Sequence, residues 1–586
     1  MATGTQGPDI LSNDQSLSNE TIDALGGDDR INVRTPFPPG GGNSVTSVTV
    51  NGGDGFDTLD LSAYPIYSLS PNSARIGEYA TQSSSSTWPA DISWSGVERL
   101  VVFGDADFGG SAPSSYKAGS WSTGDTTDEI TVRVSRGVIT LSTGGGNDKI
   151  YFHSVADGSV ANGGPGDDLI DLSRFPANFV FANGDEGNDI IIGNDRVDTL
   201  NGGEGNDQLR SGRGDDLLQG AAGNDVLYFG PSFSSADVAD GGADRDSVVL
   251  QGNYTLTFGA AQLIGVESIS LQSGANTRFG DTANNFYDYV VTTVNGNVSA
   301  GQQLIVNASS LRAGEDFTFD GSAESDGRFL VYGGHGVDDL TGGDGADVFF
   351  FEGQRWGPGD RVDGGDGADA LVISGGSGMT HIEFAAGALT GIEAISLNNR
   401  FATDPTQKPS YELVLHNGNV AAGVTLIVNG SSVPGGQQVI IDGRGVHGGN
   451  LTLLAGGGHD ILTGGDGADL IVGGGGADSL TGGAGADTFR YDAASDSIGL
   501  ADLIGDFQSG LDRIDLSRID ADANSDGNQA FTWIGSNAFS GSAGELRTYE
   551  DGYRWVEGDT DGDGAADLVI VLQVGTPPLV AGDFIL

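Results

Sequence analysis

Five aspartates, Asp189, Asp198, Asp207, Asp216 and Asp225, follow one another at intervals of nine residues, and two places after each stands an apolar residue: Ile191, Leu200, Leu209, Leu218 and Leu227. Nothing constrains the fold of this chain more than that ladder. A nine-residue unit carrying one large apolar side chain cannot bury it alone, so successive units must stack and share a core. A second run places Asp460, Asp469, Asp478 and Asp487 at the same spacing, and a shorter one Asp338 and Asp347. Isolated copies surround Asp57, Asp148, Asp168, Asp246 and Asp369.

Within each unit the glycines permit positive φ and close backbone approach, so the first half makes a tight turn with its carbonyl oxygens directed inward. The aspartate adds a hard carboxylate, and carbonyls with carboxylates suit calcium, which takes six to eight oxygen ligands. The second half reads as a short strand around its apolar residue. This Gly-Gly-x-Gly-x-Asp-x-U-x pattern resembles the calcium-binding nonapeptide of secreted RTX proteins. The resemblance implies an all-β fold, a right-handed parallel β-roll or β-solenoid with β-rich inserts, in which two nonapeptides make one turn and ions sit between turns. Asp198 would then share an ion with Asp216, and Asp207 with Asp225. The candidate metal ligands of the repeats are Asp148, Asp168, Asp189, Asp198, Asp207, Asp216, Asp225, Asp338, Asp347, Asp369, Asp460, Asp469, Asp478 and Asp487.

Charge points the same way. With 81 acidic and 26 basic residues the net charge is −55, which repels nucleic acid and anionic membranes and attracts cations. Cysteine is absent, so no disulfide or thiolate site can staple the chain, and calcium is left as the candidate cross-link. The first residues contain no basic segment followed by an apolar one, so a Sec-type signal peptide is not expected. No apolar run is long enough to predict a membrane-spanning helix.

A larger period overlies the small one. Asp240 and Asp363 open matching segments, GVESISL is echoed by GIEAISL, and Asp338 and Asp347 match Asp460 and Asp469, each 122 residues on. The boundaries this predicts are divergent repeats in 1–60, a β-rich insert in 61–143, nonapeptides in 144–251, an insert in 252–331, nonapeptides in 332–372, an insert in 373–454, nonapeptides in 455–490 and a C-terminal module in 491–586. No helical periodicity exceeds two turns, the best short candidate being Ala260–Ile264.

The last hundred residues, with DLIGDFQSGLDRIDLS from Asp502 and EGDTDGDGAADLVIVL from Glu557, resemble the C-terminal β-roll module of serralysin-type secreted proteins. Asp559, Asp561, Asp563 and Asp567 have the carboxylate density of a calcium loop, although Ile570 stands where an EF-hand needs glutamate. The final Asp583-Phe584-Ile585-Leu586 resembles the acidic-then-apolar tail that addresses a type I secretion apparatus; its other reading is a last edge strand.

Catalytic motifs are lacking. There is no His-Glu-x-x-His, no Gly-x-Ser-x-Gly and no Walker lysine, and the six histidines are scattered. The chain is therefore expected not to be an enzyme; a hidden activity would be sought in 61–143. The expected function is that of a secreted calcium-binding protein, folded by calcium after export, with a structural, S-layer-like role at the cell surface. Its expected partners are calcium, further copies of itself or a surface glycan. The alternative is an adhesin or carbohydrate binder, with Trp88, Trp94 and Trp121 as the binding face.

Overall fold

Ile191, Leu209 and Leu227 stand in register on three neighbouring parallel strands, 18 residues apart, so two nonapeptides make one turn of a parallel β-solenoid. The computed structural model describes residues 127–134, 138–155, 157–174, 179–279, 285–376, 378–398, 409–573 and 577–586, and upstream of these the strand backbones and Leu59. The chain divides into two compact units, Met1–Gly252 with Phe258–Ser270 and Asn253–Thr257 with Leu271–Leu586.

In the first unit, strands alternate along the chain between two parallel sheets. One contains Lys149–Ser154, Leu169–Asp171, Ile190–Ile192, Gln208–Arg210, Val226–Gly230 and Ser247–Leu250. The other contains Ser159–Pro165, Val180–Glu186, Thr199–Glu204, Leu217–Ala222 and Val238–Ala243. Every one of these strands presents at least one apolar residue inward. Ile150, Ile170, Ile191, Leu209, Leu227 and Val248 line one wall, and Ala161, Ala182, Leu200, Leu218 and Ala239 the other, all fully buried. Burying a Leu or Ile contributes about 1.5–3 kcal/mol, so the periodic column of apolar residues is what drives the turns to stack.

In the second unit the ladders run without a break through 285–331 and 409–454, inside the segments 252–331 and 373–454 that the sequence predicts as β-rich inserts. Tyr289–Thr292 pairs with Phe317–Asp320 and then Asp338–Thr341, while Gln303–Asn307 pairs with Arg328–Tyr332 and then Val348–Glu352. The difference lies in turn size, since Tyr289 meets Phe317, 28 residues on, instead of 18. The wider turns are filled by rings: Phe317, Phe319, Phe329, Phe349 and Phe351 are all buried. The segment 260–264 is not helical; 260–262 form a turn and Leu263–Ile264 a strand against Ala239 and Asp240. The C-terminal module breaks the parallel rule with an antiparallel meander, Glu545–Asp551, Tyr553–Asp559 and Leu568–Leu572.

One outer face of the second unit is unusual for so acidic a chain. Ile305, Leu330, Val348, Ala370, Ala394, Ile427, Thr452, Leu470 and Thr488 follow one another in register across one sheet. They are half-buried, except Ile427, which is exposed, and none is charged. Among the described residues no helix is long and apolar enough to cross a membrane.

Candidate metal centre

Stacking at 18 residues per turn brings each ladder aspartate beside the one two repeats away. The amide of Asp189 donates to Asp207 Oδ1 at 2.7 Å, and that of Asp207 to Asp225 Oδ1 at 2.7 Å. The same rung joins Asp148 to Asp168, Asp168 to Asp189 and Asp198 to Asp216. In the second unit it joins Asp347 to Asp369, Asp460 to Asp478 and Asp469 to Asp487. The pairs that the resemblance implies, Asp198 with Asp216 and Asp207 with Asp225, are thus neighbours.

One carboxylate oxygen is satisfied by the rung; the other often is not. Oδ2 of Asp148, Asp168, Asp189, Asp207, Asp225, Asp369, Asp460, Asp478 and Asp487 is buried without a hydrogen-bond partner, as is Oδ1 of Asp338. Asp198, Asp347 and Asp469 differ, because their Oδ2 accepts from the amides of Asn194, Gly343 and Gly465 at 2.6, 2.7 and 2.7 Å. The orphaned oxygens of Asp168, Asp189, Asp207, Asp225, Asp369, Asp478 and Asp487 each face a glycine. A Cβ on Gly202 would overlap Asp207 Oδ2, and one on Gly184 would overlap Asp189 Oδ2 and reach 2.5 Å from the Gly202 carbonyl oxygen. The glycines therefore keep open a cradle lined by a carboxylate oxygen and a main-chain carbonyl, the donor set that suits calcium.

Burial pushes these carboxyls up: Asp168, Asp198, Asp207, Asp478 and Asp487 to about 7, Asp216 and Asp338 to about 8, and Asp189 to about 6. Neighbouring carboxylates add to the shift, as Asp189 and Asp225 do at Asp207. Asp148, Asp225, Asp347, Asp460 and Asp469 move in the same direction, again through burial. A buried row of acids without counter-charge calls for protons or for a metal ion.

The rows are longer than the motif search predicted. Asp128 precedes Asp148, Asp237 follows Asp216, and Glu267 follows Asp246, the isolated copy that itself continues the row from Asp225. In the second unit Asp360, Glu393, Asp502 and Asp512 extend the rows from Asp338, Asp369, Asp478 and Asp487. Their glycines have diverged, but each retains an acid two places before a buried apolar residue, as in Asp360–Val362 and Glu393–Ile395.

In the C-terminal module one carboxylate oxygen each from Asp559, Asp561 and Asp563 lies within 4.8 Å of the others. Asp559 is fully buried and accepts from the amides of Gly562 and Gly564 at 2.7 and 2.9 Å. Asp567 is held apart from that trio by the amide and hydroxyl of Thr560, at 2.8 and 2.7 Å. The tail is part of the fold: Phe584–Ile585 pairs in parallel with Ile514 and Asp515, and buried Asp583 accepts from Ser509, Gly510 and Val580. Of the divergent repeats of 1–60 only the strand backbones and Leu59 are described, and the side chains of Trp88, Trp94 and Trp121 lie outside the described residues.

The family model for the RTX calcium-binding nonapeptide repeat matches residues 183–218, 202–231 and 330–349, which cover much of the aspartate ladder. The chain carries RTX calcium-binding nonapeptide repeats. The model for the peptidase M10 serralysin C terminal matches residues 417–586. No curated protein matches the chain significantly. The RTX repeats bind calcium at multiple sites. Together with the serralysin-type C terminus, which is itself not catalytic, they mark a type I secreted, extracellular protein.

Asp207→Ala should separate a rung from mere charge. It removes the acceptor of the buried Asp189 amide, a loss of about 1–3 kcal/mol, and also a carboxylate from the cradle. Asp195→Ala, in the same run but exposed, should stay within about 0.5 kcal/mol. Melting temperature and calcium titration of the two variants check this; equal effects would mean that bulk charge alone explains the calcium response.

Proposed function

We propose that calcium is held by the ladder aspartates from Asp148 to Asp225, by Asp338, Asp347 and Asp369, by Asp460 to Asp487 and by the Asp559, Asp561 and Asp563 loop. On this reading the protein is a secreted structural component that folds on calcium outside the cell and then associates laterally with copies of itself. Within the second unit the stacked turns supply a continuous parallel-sheet face for that purpose.

The observation that carries the reading is the uncharged row from Ile305 to Thr488. A chain of net charge −55 has little reason to leave nine successive outward rungs free of charge unless that face is to be covered. Parallel sheet repeats an uncharged rung along the stack, so a second copy is the occupant it suits, with calcium screening the repulsion between acidic chains.

The test is direct. Calcium-loaded protein at high concentration should form oligomers or ordered sheets, seen by light scattering and electron microscopy. Leu330→Lys with Ile427→Lys should keep the calcium-dependent melting point but weaken association about a hundredfold or more, because unpaired buried charges cost several kcal/mol. A strictly monomeric wild type that is retained on glycan columns would select the adhesin reading instead.

A further inference from the structure

Glu324 is fully buried, yet it lies outside every nonapeptide. Its Oε1 accepts from the amides of Ser325, Asp326 and Gly327 at 3.2, 3.4 and 3.2 Å, while Oε2 is buried without a partner. None of the ion pairs among the described residues involves it. A second carboxylate, fully buried Asp347, is close enough to feel its charge.

The chain contains its own control. Val446 stands 122 residues on, at the matching place of the larger repeat. The two backbones agree: Glu324 donates its amide to Gly321 O at 2.9 Å and Val446 to Gly443 O at 2.9 Å. Glu324 O accepts from Asp344 at 2.9 Å and Val446 O from Asp466 at 3.1 Å. A Cβ on Gly343 would come 2.5 Å from Glu324 O and 3.2 Å from Gly321 O; on Gly465 the matching values are 2.7 Å to Val446 O and 3.3 Å to Gly443 O. The turn therefore forms equally well around an isopropyl group, and the fold alone gives no reason for a carboxylate.

The surrounding charges differ in the same sense. Where the second copy has Val446 and Gly448, the first has Glu324 and Asp326. Asp466 is paired with His447 at 2.7 Å, whereas its counterpart Asp344 has Ser325 opposite the histidine position. One copy pairs its acid with a histidine; the other gathers acids around a buried oxygen with no donor.

We propose that Glu324 Oε2 is a ligand for one further calcium ion, held between the turn 321–327 and the loop 342–347, with main-chain carbonyls of these glycine-rich segments completing its shell. The second copy, with Val446, has no such ion. Calcium stapling thereby reaches past the nonapeptides into one of the wider turns, where no repeat motif marks it.

The experiment compares the full chain with Glu324→Val, the residue that the second copy carries, by native mass spectrometry in graded calcium. The variant should bind one calcium ion fewer per chain, and its melting temperature should rise less than that of the wild type between chelator and saturating calcium. An unchanged stoichiometry with an equal or higher melting temperature in calcium would overturn the proposal, leaving Glu324 as a turn cap. Should Glu324→Val fail to fold, Glu324→Gln, which keeps the amide acceptor, is read by the same count: one ion fewer supports the site and an equal count overturns it.

Discussion

Removing calcium at neutral pH is expected to unfold the nonapeptide turns, and restoring it to about millimolar should return the β signal. The magnitude follows from mass action. A site filled at about a hundred times its Kd stabilises the folded state by about 2.7 kcal/mol, so about five such sites match the 5–15 kcal/mol that holds an ordinary domain together. The opposing terms are large here. The chain carries −55 charges and 100 glycines, whose ordering costs more backbone entropy than that of any other residue. The apolar column offsets part of this, but each turn contributes only about two inward residues, and several are alanines, such as Ala161, Ala182 and Ala239. Circular dichroism and calorimetry in excess chelator decide the matter. An unchanged spectrum and melting point without calcium would refute the view that the ladder needs its ions.

Most of this architecture was legible because the repeat fixes both the core and the site with the same residues. Asp207 and Leu209 lie two positions apart, so finding one locates the other, and a spacing of nine gives the turn directly. Legibility failed where the period stretched. Between Tyr289 and Phe317 the turn takes 28 residues, and alternating Val, Ile and Thr signalled strands without revealing that these strands continue the ladder. Parallel pairing at variable spacing leaves no local mark, because the partner is set by stacking and not by a hairpin turn. The extra rungs were hidden for a related reason. Glu267 and Glu393 stand in the echoed segments GVESISL and GIEAISL, but glutamate without flanking Gly-Gly does not match the motif, though its longer side chain reaches the same amide. Glu324 was less visible still, since only the buried oxygen and the comparison with Val446 set it apart.

Acid should do part of calcium's work. Asp207 and Asp168 are raised to about 7 from an ordinary 3.8, and Asp216 and Asp502 to about 8, with burial the chief cause in each case. In the folded, calcium-free chain these carboxyls hold protons between about pH 4 and 7 that the unfolded chain has already released. The sign of the linkage is therefore fixed: their contribution to stability is fully present below about pH 4 and is lost as pH rises through about 7. Because the shift recurs along the rows, the losses add up, and mutual repulsion of the remaining acids grows over the same interval. In excess chelator, the β signal absent at pH 7.5 is expected to return on acidification to about pH 5, with the melting temperature climbing as pH falls. Calcium affinity should fall over the same range, since the ion competes with protons for the same oxygens, and calorimetry near pH 6.5 should record protons released as calcium binds. Acidification that instead leaves the calcium-free chain unfolded, with calcium binding that releases no protons, would mean that the ladder carboxyls ionise freely and that burial is not what makes this fold depend on its ions.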